Sequence, residues 1–391
     1  MPVPRPRVSP GAAGVFGTLL VLAAAPACSL VVDSEREAPE TVNACEGSAL
    51  LVTPEDPGAR GPWLVGARTV TLAGLTAEVW YPAAPGGEAD VEKARYDIRE
   101  HLREGDQGKI PDEDNPFQEC DCYRDLPLDE AHGPYPVVLF LHGTGGFRTQ
   151  TLTQMTHWAS RGFVVVAADH PGLELKYALD LQIGGDQAAD AKALLDALES
   201  PAGDAAFLAG RLASDRRAVV GHSIGGMALS GLGGQPGVRV LISMAAGWVN
   251  PGASLRGTLI LGAMDDAVVA YTQQQQGFET SPAPKRLVGL TGAGHLAFSD
   301  LCALGREQGG ILQVAIDHGI EVNPLLAALA QDGCKEGQLP HERGWAIINH
   351  ATAAALEEHL ACSKTAAASL ASIGDVFPEV GEYQEELQKS P

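Results

Sequence analysis

The pentapeptide Gly221-His222-Ser223-Ile224-Gly225, set directly behind the apolar run Ala218–Val220, constrains this chain more than any other feature. A serine flanked in this way at the end of a strand marks a turn so tight that bulky neighbours would collide. Gly221 and Gly225 remove those collisions, and Met227 to Leu232 has helical character, so the segment reads as strand, sharp turn, helix. Such a turn exposes the Ser223 hydroxyl and lets the Ile224 backbone N–H point at a developing oxyanion. His222 adjoins the serine but holds the variable position of the turn, and it is expected to pack beneath the turn rather than to take a proton.

A second cluster of small residues lies upstream, in Phe140-Leu141-His142-Gly143-Thr144-Gly145-Gly146, at the end of the apolar run Val137–Leu141. A strand ending in this way supplies a further backbone donor, and Thr144 is the candidate, with Gly143 and Gly145 shaping the loop and His142 bracing it. Downstream, Leu259 to Asp266 ends in two adjacent carboxylates. Asp265, nearer the strand end, is taken as the acid, whereas Asp266 is read as a cap for the next helix. His295, in Thr291-Gly292-Ala293-Gly294-His295, is the candidate base, because the glycines beside it permit close approach to the serine turn. The set is then Ser223, Asp265 and His295 in chain order: a nucleophile, the group that orients the base, and the base.

Between these motifs, apolar strands alternate with helices. Strands are expected at Val137–Leu141, Phe163–Ala168, Val238–Met244, Thr258–Leu261 and Arg286–Leu290, and helices at Thr149–Arg161, Ala188–Leu198, Ala205–Leu212 and Gly344–Leu360. Continuous apolar strands separated by helices predict a mostly parallel central sheet flanked by helices on both faces, an α/β class. Ala67–Leu72 and Leu75–Tyr81 around Ala73-Gly74 predict an antiparallel hairpin at the amino-terminal sheet edge. The domain is placed at 61–365, with a surface insertion at 83–135, an irregular excursion at 296–340 and a carboxyl-terminal tail at 366–391. Trp158, His170 and Trp248 are the candidates for the substrate pocket, although the tryptophans read more readily as core and His170 equally as a local brace.

At the amino terminus, Arg5 and Arg7 precede the uncharged run GAAGVFGTLLVLAAAPA, so 1–27 is expected to be a signal peptide and 28–60 a spacer. Small residues before Cys28 resemble a bacterial lipoprotein processing site, which makes Cys28 the expected lipid-attachment point and a membrane tether for an exported chain. With Cys28 set aside, Cys45, Cys120, Cys122, Cys302, Cys334 and Cys362 are expected to form disulfides of undetermined pairing. Cys120-Asp121-Cys122 lacks the second cysteine pair or histidine set of a zinc site, so no metal is assigned. With 27 Lys and Arg against 49 Asp and Glu, the net charge of −22 repels a polyanion and excludes nucleic-acid binding as the expected role. Neither composition nor spacing determines an oligomeric state.

Leu141 to Arg148, Ser160 to His170 and Gly221 to Gly226 together resemble the α/β-hydrolase superfamily, in particular its dienelactone-hydrolase-like and platelet-activating-factor-acetylhydrolase-like members. The resemblance implies an α/β-hydrolase fold and hydrolysis of small or moderately apolar carboxylic esters through an acyl-enzyme, without a cofactor. It also implies, as an alternative, action on a phospholipid substrate. Dienelactone hydrolases proper carry a cysteine nucleophile where this chain has Ser223. A surface-attached binding protein that keeps the fold without the activity is the reading from another class.

Overall fold

The computed structural model describes residues 1–2, 40–42, 45, 47–250, 252 and 255–387. The signal peptide and Cys28 expected from the sequence lie outside the described residues. The chain divides into Met1–Ala38 and Pro39–Pro391, and the second unit carries every element named below.

Strands β1 (Thr41–Val42) and β2 (Leu50–Leu51) form a short ribbon. The main sheet comprises β3 (Leu64–Leu72), β4 (Leu75–Ala83), β5 (Lys93–Tyr96), β6 (Gln118–Arg124), β7 (Tyr135–Leu141), β8 (Val164–Ala168), β9 (Leu212–His222), β10 (Val238–Met244), β11 (Gly257–Ala263), β12 (Lys285–Leu290) and β13 (Val380–Glu386). Its spatial order is β13-β12-β11-β10-β9-β7-β8-β4-β3-β6-β5. The six strands from β12 to β8 are parallel to one another, whereas β4 joins β8 antiparallel. Every residue of β7, β8, β11 and β12 is buried, and so is all of β10 except half-buried Arg239, which is why these strands read as largely apolar runs rather than alternating ones.

Helices cover both faces: α1 (Leu152–Ser160), α2 (Leu175–Leu179), α3 (Gln187–Ala197), α4 (Ile224–Met227), α5 (Tyr271–Thr280), α6 (Ile311–Asp317), α7 (Pro324–Leu329), α8 (His341–Leu360) and α9 (Lys364–Ala371). Successive side chains of a strand point to opposite faces. Val138 and Val220 accordingly pack with Trp158 of α1, Ile347 of α8 and Leu370 of α9. Val137 and Val219 pack on the other side with Leu194 of α3 and Phe278 of α5. No helix among the described residues is long and apolar enough to cross a membrane.

The structure departs from the sequence expectation at the margins. The β3–β4 hairpin is not at an edge, because β5 and β6, both from the 83–135 insertion, add strands outside it. The buried carboxylate of Glu78 on β4 joins these pieces by accepting from Thr69 Oγ1 at 2.7 Å and Tyr96 Oη at 2.9 Å and by pairing with Arg124. The supposed carboxyl-terminal tail supplies β13, antiparallel to β12, and completes the opposite edge. Ala205–Leu212, expected to be helical, is a 3-10 turn at Gly203–Leu208 leading into β9.

The end of the supposed spacer is part of the packed unit. Fully buried Arg161 pairs with Glu357 at 2.5 Å and donates to the carbonyls of Pro54, Asp56 and Ala59. The six expected cysteines pair as Cys45–Cys362, Cys120–Cys122 and Cys302–Cys334. The first bridge joins residues 317 positions apart and so closes nearly the whole of the second unit.

Candidate active site

The turn after β9 takes the form its glycines dictate. Ser223 has φ 58° and ψ −122°, a conformation that side-chain-bearing residues rarely adopt and that functional sites retain against its cost. A Cβ on Gly221 would lie 2.2 Å from the Gly225 carbonyl oxygen, and one on Gly225 would lie 2.3 Å from that of Leu141, so both positions exclude a side chain. The helix that follows, α4, is a single turn and not the longer segment expected through Leu232. What it contributes at Ser223 is therefore individual N–H groups rather than a long helix dipole.

Ser223 Oγ donates to His295 Nε2 at 2.9 Å, and His295 Nδ1 donates to Asp266 Oδ2 at 2.8 Å. The serine follows β9, the carboxylate follows β11 and the histidine follows β12, so all three converge at the carboxyl ends of parallel strands, where such sheets place their sites. The carboxylate is not the one chosen from the sequence. Asp265 is exposed and meets the histidine loop only through its backbone N–H, which donates to the Ala293 carbonyl at 2.9 Å. The chain turns immediately after β11, with Asp266 N–H directed to the Ala263 carbonyl, and it is the later side chain that faces inward. Asp266 does not cap α5 as the sequence suggested, since α5 starts after Ala270 without a side-chain cap; its Oδ1 instead accepts from the Val268 and Val269 N–H groups of its own loop at 2.8 and 2.7 Å. Gln274 of α5 adds a donor to Oδ2 at 2.9 Å. One carboxylate thus fixes its own loop and the imidazole.

The loop after β7 contains Thr144. In it, Gly143 N–H donates to Gln150 Oε1, Gly145 N–H to the Leu173 carbonyl and Gly146 N–H to the Gly143 carbonyl. The N–H groups of Thr144 and Ile224 have no acceptor among the described residues, so these two remain available. Gly143 lies against the serine turn, since a Cβ there would come within 3.2 Å of Ser223 Cβ.

Two further histidines serve as neutral braces. His142 donates from Nδ1 to the Gly143 carbonyl at 2.8 Å and accepts the His170 N–H at Nε2. His222 accepts from Gln150 Nε2 at 2.8 Å and donates from Nε2 to the His295 carbonyl at 2.9 Å. Burial pushes both imidazoles down to about 3, so neither is charged near neutral pH. Gln150, unmarked by any motif, therefore connects the Thr144 loop to the loop carrying His295.

Asp332 is another residue that sequence reasoning missed. Its Oδ2 accepts the N–H groups of His295 and Ala267 at 2.9 and 3.0 Å, and its carbonyl accepts from Leu296 N–H at 2.7 Å. It thereby clamps the Asp266 and His295 loops together from a position near the Cys302–Cys334 bridge. Apart from a nearby cysteine, nothing in the sequence marks it.

A cavity of roughly 970 Å³, counting its open mouth, leads to Ser223 and His295. Its walls come from the 83–135 insertion, α2 and the 296–340 excursion, through residues such as Leu102, Ile110, Leu179, Val314 and Leu326. The three pocket candidates named from the sequence are not in this lining. Trp158 is core, donating from Nε1 to Thr352 Oγ1 at 2.8 Å. His170 is fully buried against Asp190, and Trp248 is exposed outside the cavity. Size and apolarity made the tryptophans candidates while the core was the favoured reading; Trp158 follows it and Trp248 does not, because the direction in which a side chain faces is set by packing.

His101, Asp169 and Glu174 bring one potential metal-ligand atom each to within 4.8 Å of one another. Asp169 is already paired with Arg148 and Glu174 with Lys176, so cations of the chain itself balance both carboxylates.

The sequence profile of the family described as platelet-activating factor acetylhydrolase, isoform II, matches residues 117–173, a stretch that includes the Thr144 loop and ends before the serine turn. No curated protein matches the sequence. The solved structure of a ferulic acid esterase from Streptomyces cinnamoneus is similar over 78% of this chain and 92% of that chain, with 20% identity and a TM-score of 0.56. The mostly parallel sheet, the serine turn after β9 and this structural likeness together make the chain a member of the α/β-hydrolase fold.

Proposed function

We propose that this protein is a serine-dependent carboxylic ester hydrolase working through an acyl-enzyme. The observation that carries the reading is the unbroken hydrogen-bonded series Ser223, His295, Asp266 beside two unengaged backbone N–H groups. His295 takes the Ser223 proton as the hydroxyl oxygen attacks the ester carbonyl, and Asp266 holds the imidazole in the required tautomer and stabilises its cation. The Thr144 and Ile224 N–H groups receive the oxyanion; one such donor contributes about 3 kcal/mol in comparable sites. His295 then protonates the leaving alcohol and activates the water that releases the acid. The esterase structure and the acetylhydrolase profile both support ester hydrolysis.

The profile match gives specific support to a second reading, hydrolysis of an acyl group on a phospholipid. Export with lipid attachment at Cys28 is proposed as well, from the terminal sequence; the three disulfides fit an oxidising compartment.

Treatment of the mature protein with a fluorophosphonate, followed by peptide mass spectrometry, tests the mechanism. The label is expected on Ser223, with loss of p-nitrophenyl butyrate hydrolysis in step with labelling. Hydrolysis undiminished by Ser223→Ala in a folded protein would overturn the proposal. A diacylglyceryl-modified Cys28 at the mature terminus is the outcome expected for the anchor, and an unmodified terminus at another residue rejects it.

A further inference from the structure

Resting on the serine-hydrolase reading, we infer that the cavity receives an aliphatic chain of the scissile ester, longer than an acetyl group and in preference to an aromatic acid. The wall opposite the catalytic groups is aliphatic: Leu102 and Ile110, Leu179 of α2, Val314 of α6 and Leu326 of α7 belong to one apolar cluster that lines the cavity. This wall begins at the Thr144 loop itself, because a Cβ on Gly145 would come within 3.2 Å of Leu326 Cδ1 and 3.3 Å of Ala178 Cβ. An ester carbonyl placed between Thr144 and Ser223 therefore has hydrocarbon as its next neighbour.

Two observations narrow the chemistry of what lies there. Phe147 is the aromatic ring of the lining apart from the two imidazoles, and one of its faces is occupied by His101, stacked at 4.3 Å between centroids and 8° between planes. With the ring only 1% exposed, an aryl group would find almost no ring surface for the stacking that aromatic partners favour. Arg99 is the cationic side chain of the lining, and its guanidinium is already engaged by Asp97, Asp112 and the Ile110 carbonyl. A phosphate or free carboxylate inside the cavity would have no unengaged cation from the lining to meet. Burial of each successive methylene on such a wall is expected to raise kcat/KM up to about fourfold, until the chain outruns the cavity.

The wall by itself does not distinguish the acyl chain from the alcohol chain, and the experiment separates them. kcat/KM is measured for p-nitrophenyl esters from acetate to dodecanoate, for alkyl acetates of matching chain length and for a feruloyl ester, all below their micelle concentrations. Serine labelling is recorded in parallel. The expected result is a rise of at least about tenfold between acetate and octanoate, or along the alkyl series, with the feruloyl ester well below octanoate. The series that rises identifies the side bearing the chain. Rates that fall with length in both series, or a feruloyl ester that exceeds octanoate, overturn the inference while labelled Ser223 leaves the serine mechanism standing. Absence of both labelling and turnover overturns the mechanism first. Ala315→Phe and Ala330→Phe, which place a ring into the lining from α6 and from the end of α7, should each lower the octanoate-to-acetate ratio by about tenfold or more. An unchanged ratio in both folded variants removes the wall from the specificity.

Discussion

The strand-end turns and the cavity wall differ in how tightly the chain is held to a single residue at each position. At the turns, a Cβ on Gly221 or Gly225 would lie 2.2 or 2.3 Å from a backbone oxygen, so one added methyl group destroys the geometry. In the wall, Leu102, Leu179, Val314 and Leu326 meet one another through side chains alone, and any aliphatic group of similar volume preserves the contact. On the proposed reading, the chemistry is fixed by local steric exclusion, and the choice of substrate by an association of segments distant in sequence. Variants in the two regions should consequently fail differently: the turns lose rate on every ester, the wall loses discrimination among esters.

The largest effect sharpens this contrast. Ser223→Ala should depress turnover by roughly 10⁶-fold whatever the acyl chain, a loss on the scale of removing a serine nucleophile. Equal loss across a chain-length series is the outcome to verify; a residual rate that varies with the acyl group would place part of the chemistry in the wall.

Next in size is the carboxylate. Asp266→Asn should reduce turnover by about 10⁴-fold, whereas exposed Asp265→Asn should stay within about twofold of the parent. The two losses at Ser223 and Asp266 are not to be added, because the groups act as one unit. Circular dichroism beside ester turnover decides the matter, and a folded Asp265→Asn with the larger loss would reverse the assignment.

Two predictions try to break the division, because the excursion that forms the wall also reaches the catalytic loops. Asp332→Asn keeps the shape but weakens acceptance of the His295 and Ala267 N–H groups, and it should lower kcat by up to about 10²-fold with little change in KM, as a misplacement of the base requires. A matched change in KM instead would mean that Asp332 shapes only the wall. The double variant Cys302→Ser, Cys334→Ser should show the same kcat loss, because Asp332 sits beside that bridge.

The smallest effect is one of stability. Asp300 accepts the Thr153 N–H at 2.9 Å at the start of α1, its other oxygen is unpartnered, and burial raises its carboxyl to about 7. In the unfolded chain the group titrates near an ordinary value of about 3.9. Between those values the folded protein holds a proton that the unfolded chain has released, so this contribution to stability is full below about pH 4 and declines as pH approaches 7. Asp300→Asn cannot titrate, and its Tm relative to the parent should climb by a few degrees across that interval and level off above it. A Tm difference independent of pH from 5 to 8 would show that the carboxyl does not carry this titration. Buried His142 and His222 contribute a loss of stability on acidification, but they are common to both proteins and cancel in the comparison.

Legibility followed the range over which each residue is constrained. Ser223, His295, Thr144 and Ile224 were readable because glycine spacing and the end of an apolar run specify a turn within a few residues. Asp266 escaped because choosing between adjacent carboxylates depends on how the chain turns after β11, and Ala263, Met264 and Asp265 impose no visible preference. Gln150, Asp332 and Gln274 escaped for another reason: each is a single polar residue whose partner is an N–H group, carbonyl or side chain from elsewhere in the chain. Trp158, which read more readily as core than as pocket, is indeed core and turned toward α8, whereas Trp248, read the same way, is exposed.

The sequence by itself determined the parallel core, because strands buried on both faces must be largely apolar, and it determined the tight serine turn, because only glycine fits beside it. Only the tertiary structure decided which aspartate meets His295, how six cysteines pair, and that the insertion and the excursion close over Ser223 as one aliphatic wall. Apolar burial has no direction, and a hydrogen-bond acceptor does not encode the address of its donor. Such contacts are settled only when the whole chain has been packed.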